Sequence, residues 1–183
     1  MSRLSAARSF LDGLTGLTGQ QALLRVLVAA LPGLAFGVEV QAGAPVQTVP
    51  VALVLVLTVI SALVPDSHGP LAVVLVLGGY WVISVEESLS WQLLVLTGLL
   101  LAFHVVCLLA CYGPASVVLD RVLIGLWLRR TALLGAVAVL VWLAARLAGG
   151  LDLPASPWLF AAGLLVVVGA TGTLSRRLAV GAG

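Results

Sequence analysis

The chain has 183 residues, 62% of them hydrophobic and 9% charged, with a formal net charge of +2. A soluble domain of this length cannot bury that much apolar surface against itself, so a lipid bilayer has to serve as its solvent. The small net charge argues against a nucleic-acid partner, and the nine basic residues are all arginine, which reads as the coding bias of a GC-rich bacterial genome.

Residues 1–21 carry Arg3, Arg8, Asp12 and glycines at 13, 16 and 19, giving a polar, flexible lead-in before the first apolar run, Ala22–Val38. That run holds Arg25 near its start, where the side chain can snorkel to the interface, and Pro32-Gly33 near its middle, where a membrane helix tolerates a kink. A rival reading makes it a signal peptide, because Ala42-Gly43-Ala44 resembles a small-residue cleavage site, but the stretch before it is long and irregular for that role. The next two runs, Val49–Val64 and Leu71–Val85, are short. They are joined by Pro65-Asp66-Ser67-His68-Gly69-Pro70, whose prolines and glycine demand a tight turn, so the pair reads as a membrane hairpin. Trp91–Tyr112, Thr131–Ala148 and Trp158–Leu174 complete six runs, against about 20 residues needed per span. The expected architecture is therefore an all-α, multi-pass membrane helix bundle over 22–174 with about six transmembrane helices and a short tail at 175–183.

Orientation follows from the connections, since cytoplasmic segments are enriched in arginine. With the N-terminus inside, Arg3, Arg8, Arg121, Arg129, Arg130, Arg176 and Arg177 fall on one side, with Arg25 close to it. Glu39, Glu86, Glu87 and Asp152 fall on the other. Only Arg146 breaks the pattern, and pairing with one of those acids would accommodate it. Aromatic residues suited to the interfaces agree: Tyr80, Trp81, Trp91 and Trp158 flank the outer turns, Tyr112 and Trp127 the inner loop. Both termini are expected to be cytoplasmic, in a bacterial cell membrane.

The sequence offers few groups for chemistry. His104 is the ionisable residue deepest in a run, and such residues are functional candidates by default. Cys107 and Cys111 follow it at i+3 and i+7, placing all three near one helix face. A haem would want a second axial ligand, and a zinc ion more ligands than one His and two Cys on one helix provide. A disulfide within one regular helix is disfavoured. The plainer role for His104 is a hydrogen bond across the bundle. Glu86-Glu87 resembles the opening of the CAAX-type intramembrane protease motif, but Trp91 stands where that motif has arginine, and the reading is rejected in favour of an exposed acidic turn. The inner loop, Gly113–Arg130, carries Asp120, Arg121 and Trp127-Leu128-Arg129-Arg130, and anchors at the headgroups by the positive-inside rule or docks a partner or anionic lipid. Its Asp-then-Trp-Arg-Arg stretch resembles that of small actinobacterial multi-pass membrane proteins, a resemblance confined to this loop that implies no particular activity.

No catalytic, cofactor or metal site is expected. The leading expectation is a non-enzymatic integral membrane subunit or accessory protein, in contact with lipid and with other membrane subunits or copies of itself. A small transporter or channel using His104 ranks second. A lipid-acting enzyme built from Asp66, His68, Asp120 and Arg121 ranks last. The residues singled out for function or partner contact are His104, Glu86, Glu87, Asp120, Arg121, Arg129, Arg130 and Arg146.

Overall fold

The computed structural model describes residues 18–87, 89–112 and 120–149. Arg3, Arg8, Asp152, the run Trp158–Leu174 with its Trp158, and the 175–183 tail with Arg176 and Arg177 lie outside the described residues. Those described are all-helical apart from turns: α1 Gly19–Gln41, α2 Thr48–Leu63, α3 Gly69–Ser84, α4 Trp91–Cys111 and α5 Arg121–Gly149. Three of these, α1, α4 and α5, are long and apolar enough to cross a membrane. Helices α2 and α3 have 16 residues each, about 24 Å of rise against a hydrocarbon core of about 30 Å.

Local chemistry sets the boundaries. Thr18 caps α1, its Oγ1 accepting from the Gln21 N–H at 3.3 Å, and the helix runs unbroken through Pro32. It stops in a Schellman motif: the Ala44 N–H donates to the Glu39 carbonyl at 3.0 Å and the Gly43 N–H to Val40 at 3.1 Å, with Gly43 at φ +100°. Only glycine adopts that left-handed turn freely. The small residues that resemble a cleavage site thus form the stop of α1, a helix whose Val28, Leu31 and Ala35 are core residues.

The α2–α3 turn is equally specific. Ser67 Oγ accepts from the Gly69 N–H at 3.1 Å, and Pro70 fits the first turn of α3, where a missing N–H costs nothing. A Cβ on Gly69 would sit 2.9 Å from Ser61 Oγ. That hydroxyl cannot swing away, because it donates to the Leu57 carbonyl at 2.7 Å and is fully buried. Gly69→Ala is expected to destabilise the hairpin by about 1–3 kcal/mol, the usual cost of overpacking, read as a lowered thermal midpoint in nanodiscs.

One sequence expectation is corrected. Arg121, Arg129 and Arg130 do not lie in a loop: α5 begins at Arg121, ten residues before the expected Thr131. Asp120 starts it, with Oδ1 accepting from the Val122 N–H at 3.0 Å. Arginine is a good helix former, and no glycine pair or proline interrupts the stretch from Arg121 to Ala148, so the charges ride on the helix rather than end it.

The chain divides into two compact units at Gly135/Ala136, and the packing that follows belongs to the first. Helix α1 packs mainly on α4, and also on α2, which pairs with α3. Leu24 near the start of α1 clusters with Leu109 near the end of α4 and with Leu123, Ile124 and Trp127 of α5, so α1 and α4 run antiparallel. The larger core joins Val28, Leu31 and Ala35 of α1 to Val73, Leu77, Tyr80 and Trp81 of α3 and to Leu96, Phe103 and Cys107 of α4.

Candidate functional site

The antiparallel arrangement sets Arg25 and Arg121 at one end of this unit, together with Asp66 and Asp120, and the glutamates at the other. At one end Arg25 donates through a terminal guanidinium nitrogen to the Ala62 carbonyl at the close of α2, 3.0 Å away, and Arg121 opens α5. At the other end stand Glu39, in the last turn of α1, and the exposed Glu86 and Glu87 between α3 and α4. Arg129 is exposed two turns along α5, and the Arg130 guanidinium lies 5.5 Å over the Trp127 ring, whose own neighbour is Tyr112 at 6.3 Å. The Arg146 guanidinium stacks over Trp142, one turn earlier on α5, at 5.2 Å.

Glu39 is the unexpected group. It is 0% exposed, and neither carboxylate oxygen has a hydrogen-bond partner. The reason it points inward is the stripe Leu24, Val28, Leu31, Ala35, Glu39, all buried, which advances in steps of three or four residues and so lies along one helix face. Fifteen residues from Leu24 carry α1 about 22 Å, and seventeen from Leu109 carry α4 back about 25 Å to Gln92. The two side chains therefore stand at a similar level, and the Gln92 Oε1 is likewise buried without a partner. Nearby, the Tyr80 ring stacks on Phe36 at 6.0 Å and its hydroxyl donates to the Pro45 carbonyl. The opposite end holds unpartnered donors instead, Gln21 Nε2 and Arg25 Nε.

His104 is placed differently from what the spacing suggests. Phe103 and Cys107 are buried against α1, whereas His104 and Cys111 are exposed. The three side chains nominally sharing a face are therefore split between the inside and the outside of the α1–α4 pair. Both cysteines are free thiols. Among the described residues no group of three or more His, Cys, Asp or Glu could hold a metal ion.

The chain matches no family model, no curated protein and no solved structure. What can be said of the site therefore rests on the placement of its own residues. Asp120 is committed to capping α5, and Glu86 and Glu87 form an exposed turn in which the Glu87 carbonyl accepts from Ser90 N–H at 3.1 Å. His104 has apolar neighbours along α4 and an outward position. Glu39 stands inside, and sequence reasoning placed it among the outer-loop charges because a charge next to an apolar run is ordinarily taken to end it. Continuing the buried stripe by one more turn would have found it.

Proposed function

We propose that the chain is a non-enzymatic integral membrane subunit that assembles with copies of itself or with a larger membrane complex. Its full architecture in this reading is six spans in a bacterial cell membrane, both termini cytoplasmic. The observation that carries the reading is α5: its Arg121–Leu147 segment has the length and hydropathy of a span, yet no residue of its apolar window is fully buried. Membrane helices associate by close packing and interhelical hydrogen bonds rather than by escape from water, and α5 brings Gly125, Ala132, Gly135 and Ala136 to such contacts. His104 supports the same reading, because a histidine on an outward membrane face wants a polar partner. An interior relay, as a transporter built on His104 requires, would need that side chain within the core.

The test is native mass spectrometry of the protein extracted into nanodiscs from its own host. A stoichiometric partner or a defined homo-oligomer is the expected result. A bare monomer would refute the subunit reading.

A further inference from the structure

Glu39 calls for a ligand. A carboxylate withdrawn from water costs far more than folding can supply unless a cation neutralises it, so the question is which cation. Among the described residues, the elements packed against α1 offer none at the level of Glu39: α5 meets α1 at Leu24, fifteen residues away, where its Leu123, Ile124 and Trp127 lie between Arg121 and the pair Arg129 and Arg130. Helices α2 and α3 contain no charged residue at all. Their only ionisable side chain is Tyr80, whose proton is already given to the Pro45 carbonyl. Helix α4 carries His104, Cys107 and Cys111, which sit at the far end of the antiparallel pair, and His104 is exposed. Arg25 lies fourteen residues away on α1 itself, about 21 Å along the axis, and its guanidinium is engaged with Ala62. Glu86 and Glu87, which follow α3 in sequence, have the wrong sign.

A metal ion fits poorly. A hard cation takes about six to eight oxygen ligands, and the buried side-chain oxygens near this level are only the two of Glu39, the amide oxygen of Gln92 and the Ser90 hydroxyl among the described residues. The Glu39 carbonyl already accepts from two N–H groups, those of Ala42 and Ala44. A proton needs neither a coordination shell nor a cavity. We propose that the Glu39 carboxyl is a proton-binding site inside the bundle, occupied at neutral pH, where the acid's O–H finds its acceptor within the α1–α4 end. Binding is simple addition of H⁺ to one carboxylate oxygen, and no other bond changes. The inference stands apart from the question of partners: a subunit or a solitary protein could carry it.

The chain has three glutamates, Glu39, Glu86 and Glu87, and the last two are exposed, so E86Q/E87Q leaves Glu39 as the sole glutamate without touching the core. That protein, grown with side-chain-carboxyl ¹³C glutamate and reconstituted in bilayers, isolates one carboxyl group for infrared spectroscopy. The expected result at neutral pH is an isotope-shifted carboxylic-acid C=O stretch that moves again in D₂O and that is replaced by carboxylate bands when the protein is unfolded in detergent. Carboxylate stretches in the folded protein would overturn the proposal, since they mark an ion-paired or metal-bound group. So would an acid band unmoved by D₂O after full exchange of the membrane, because the site would then hold a trapped proton rather than bind one from the medium. Wild type minus E39Q gives the same comparison without altering the acidic turn, and guards against a fault in the double variant.

Discussion

Replacing Phe103 with alanine will destabilise the bundle, while the same replacement one residue later, at His104, will leave the fold intact and weaken assembly. Phe103 is 0% exposed in the core between α1 and α4, and a 100° step along the helix takes His104 out of it. In water the loss of a buried phenylalanine costs about 3–5 kcal/mol. In a bilayer the transfer share largely disappears, because lipid tails are as apolar as the core, and the lost contacts around the cavity remain, about 1–3 kcal/mol. Thermal unfolding in nanodiscs should show a lower midpoint for Phe103→Ala and an unchanged one for His104→Ala. Native mass spectra should show the reverse order, with the oligomer or partner retained by the folded fraction of Phe103→Ala and depleted in His104→Ala. Equal effects on both measurements would mean that His104 is packed inside the protein after all.

The contrast shows which kinds of information the sequence carried. Helices α1 to α4 start and stop within a few residues of the apolar runs because proline, glycine and charge punctuate them. Pro70, Gly43 and the Pro65–Pro70 turn act through backbone geometry, which is local and hence legible. The start of α5 was not, because three arginines in ten residues were read as a headgroup-anchoring or docking loop although arginine is compatible with helix. Asp120 was the available signal: an aspartate directly before an apolar periodic stretch is a helix start, and it was weighed instead as a contact residue. Facing is harder than extent. In a span that is apolar all round, the hydrophobic pattern does not distinguish the lipid side from the protein side, so neither the outward turn of His104 nor the separation of Cys107 from Cys111 was marked. Glu39 and Gln21 were the exceptions. They are polar residues in register with a stripe of core positions, and register outranks polarity when the neighbours at both i−4 and i−8, or i+3 and i+7, are buried.

Arg25→Glu is expected to be the most damaging single charge reversal in the first unit. The Ala62 carbonyl is one of the last four of α2, which have no intrahelical donor. Arg25 supplies one at 3.0 Å and also sets a positive charge against the negative end of the α2 dipole. Glutamate has no hydrogen to donate when ionised, and would bring a second negative charge to that end, beside the buried Gln21. Loss of a charged hydrogen bond is worth about 1.5–3 kcal/mol, and the reversed dipole interaction adds about 0.3–1 kcal/mol. Arg25→Lys keeps the charge and a donor on a shorter stem, and should recover much of the loss, whereas Arg25→Met keeps only the apolar packing of the stem and should fall between the two. The order of thermal midpoints, wild type above lysine, lysine above methionine and methionine above glutamate, separates the carbonyl contact from mere burial. If methionine instead matched wild type, the guanidinium would be serving the membrane interface alone, and the tie between the start of α1 and the end of α2 would have to come from the apolar packing around Leu57 and Ala62.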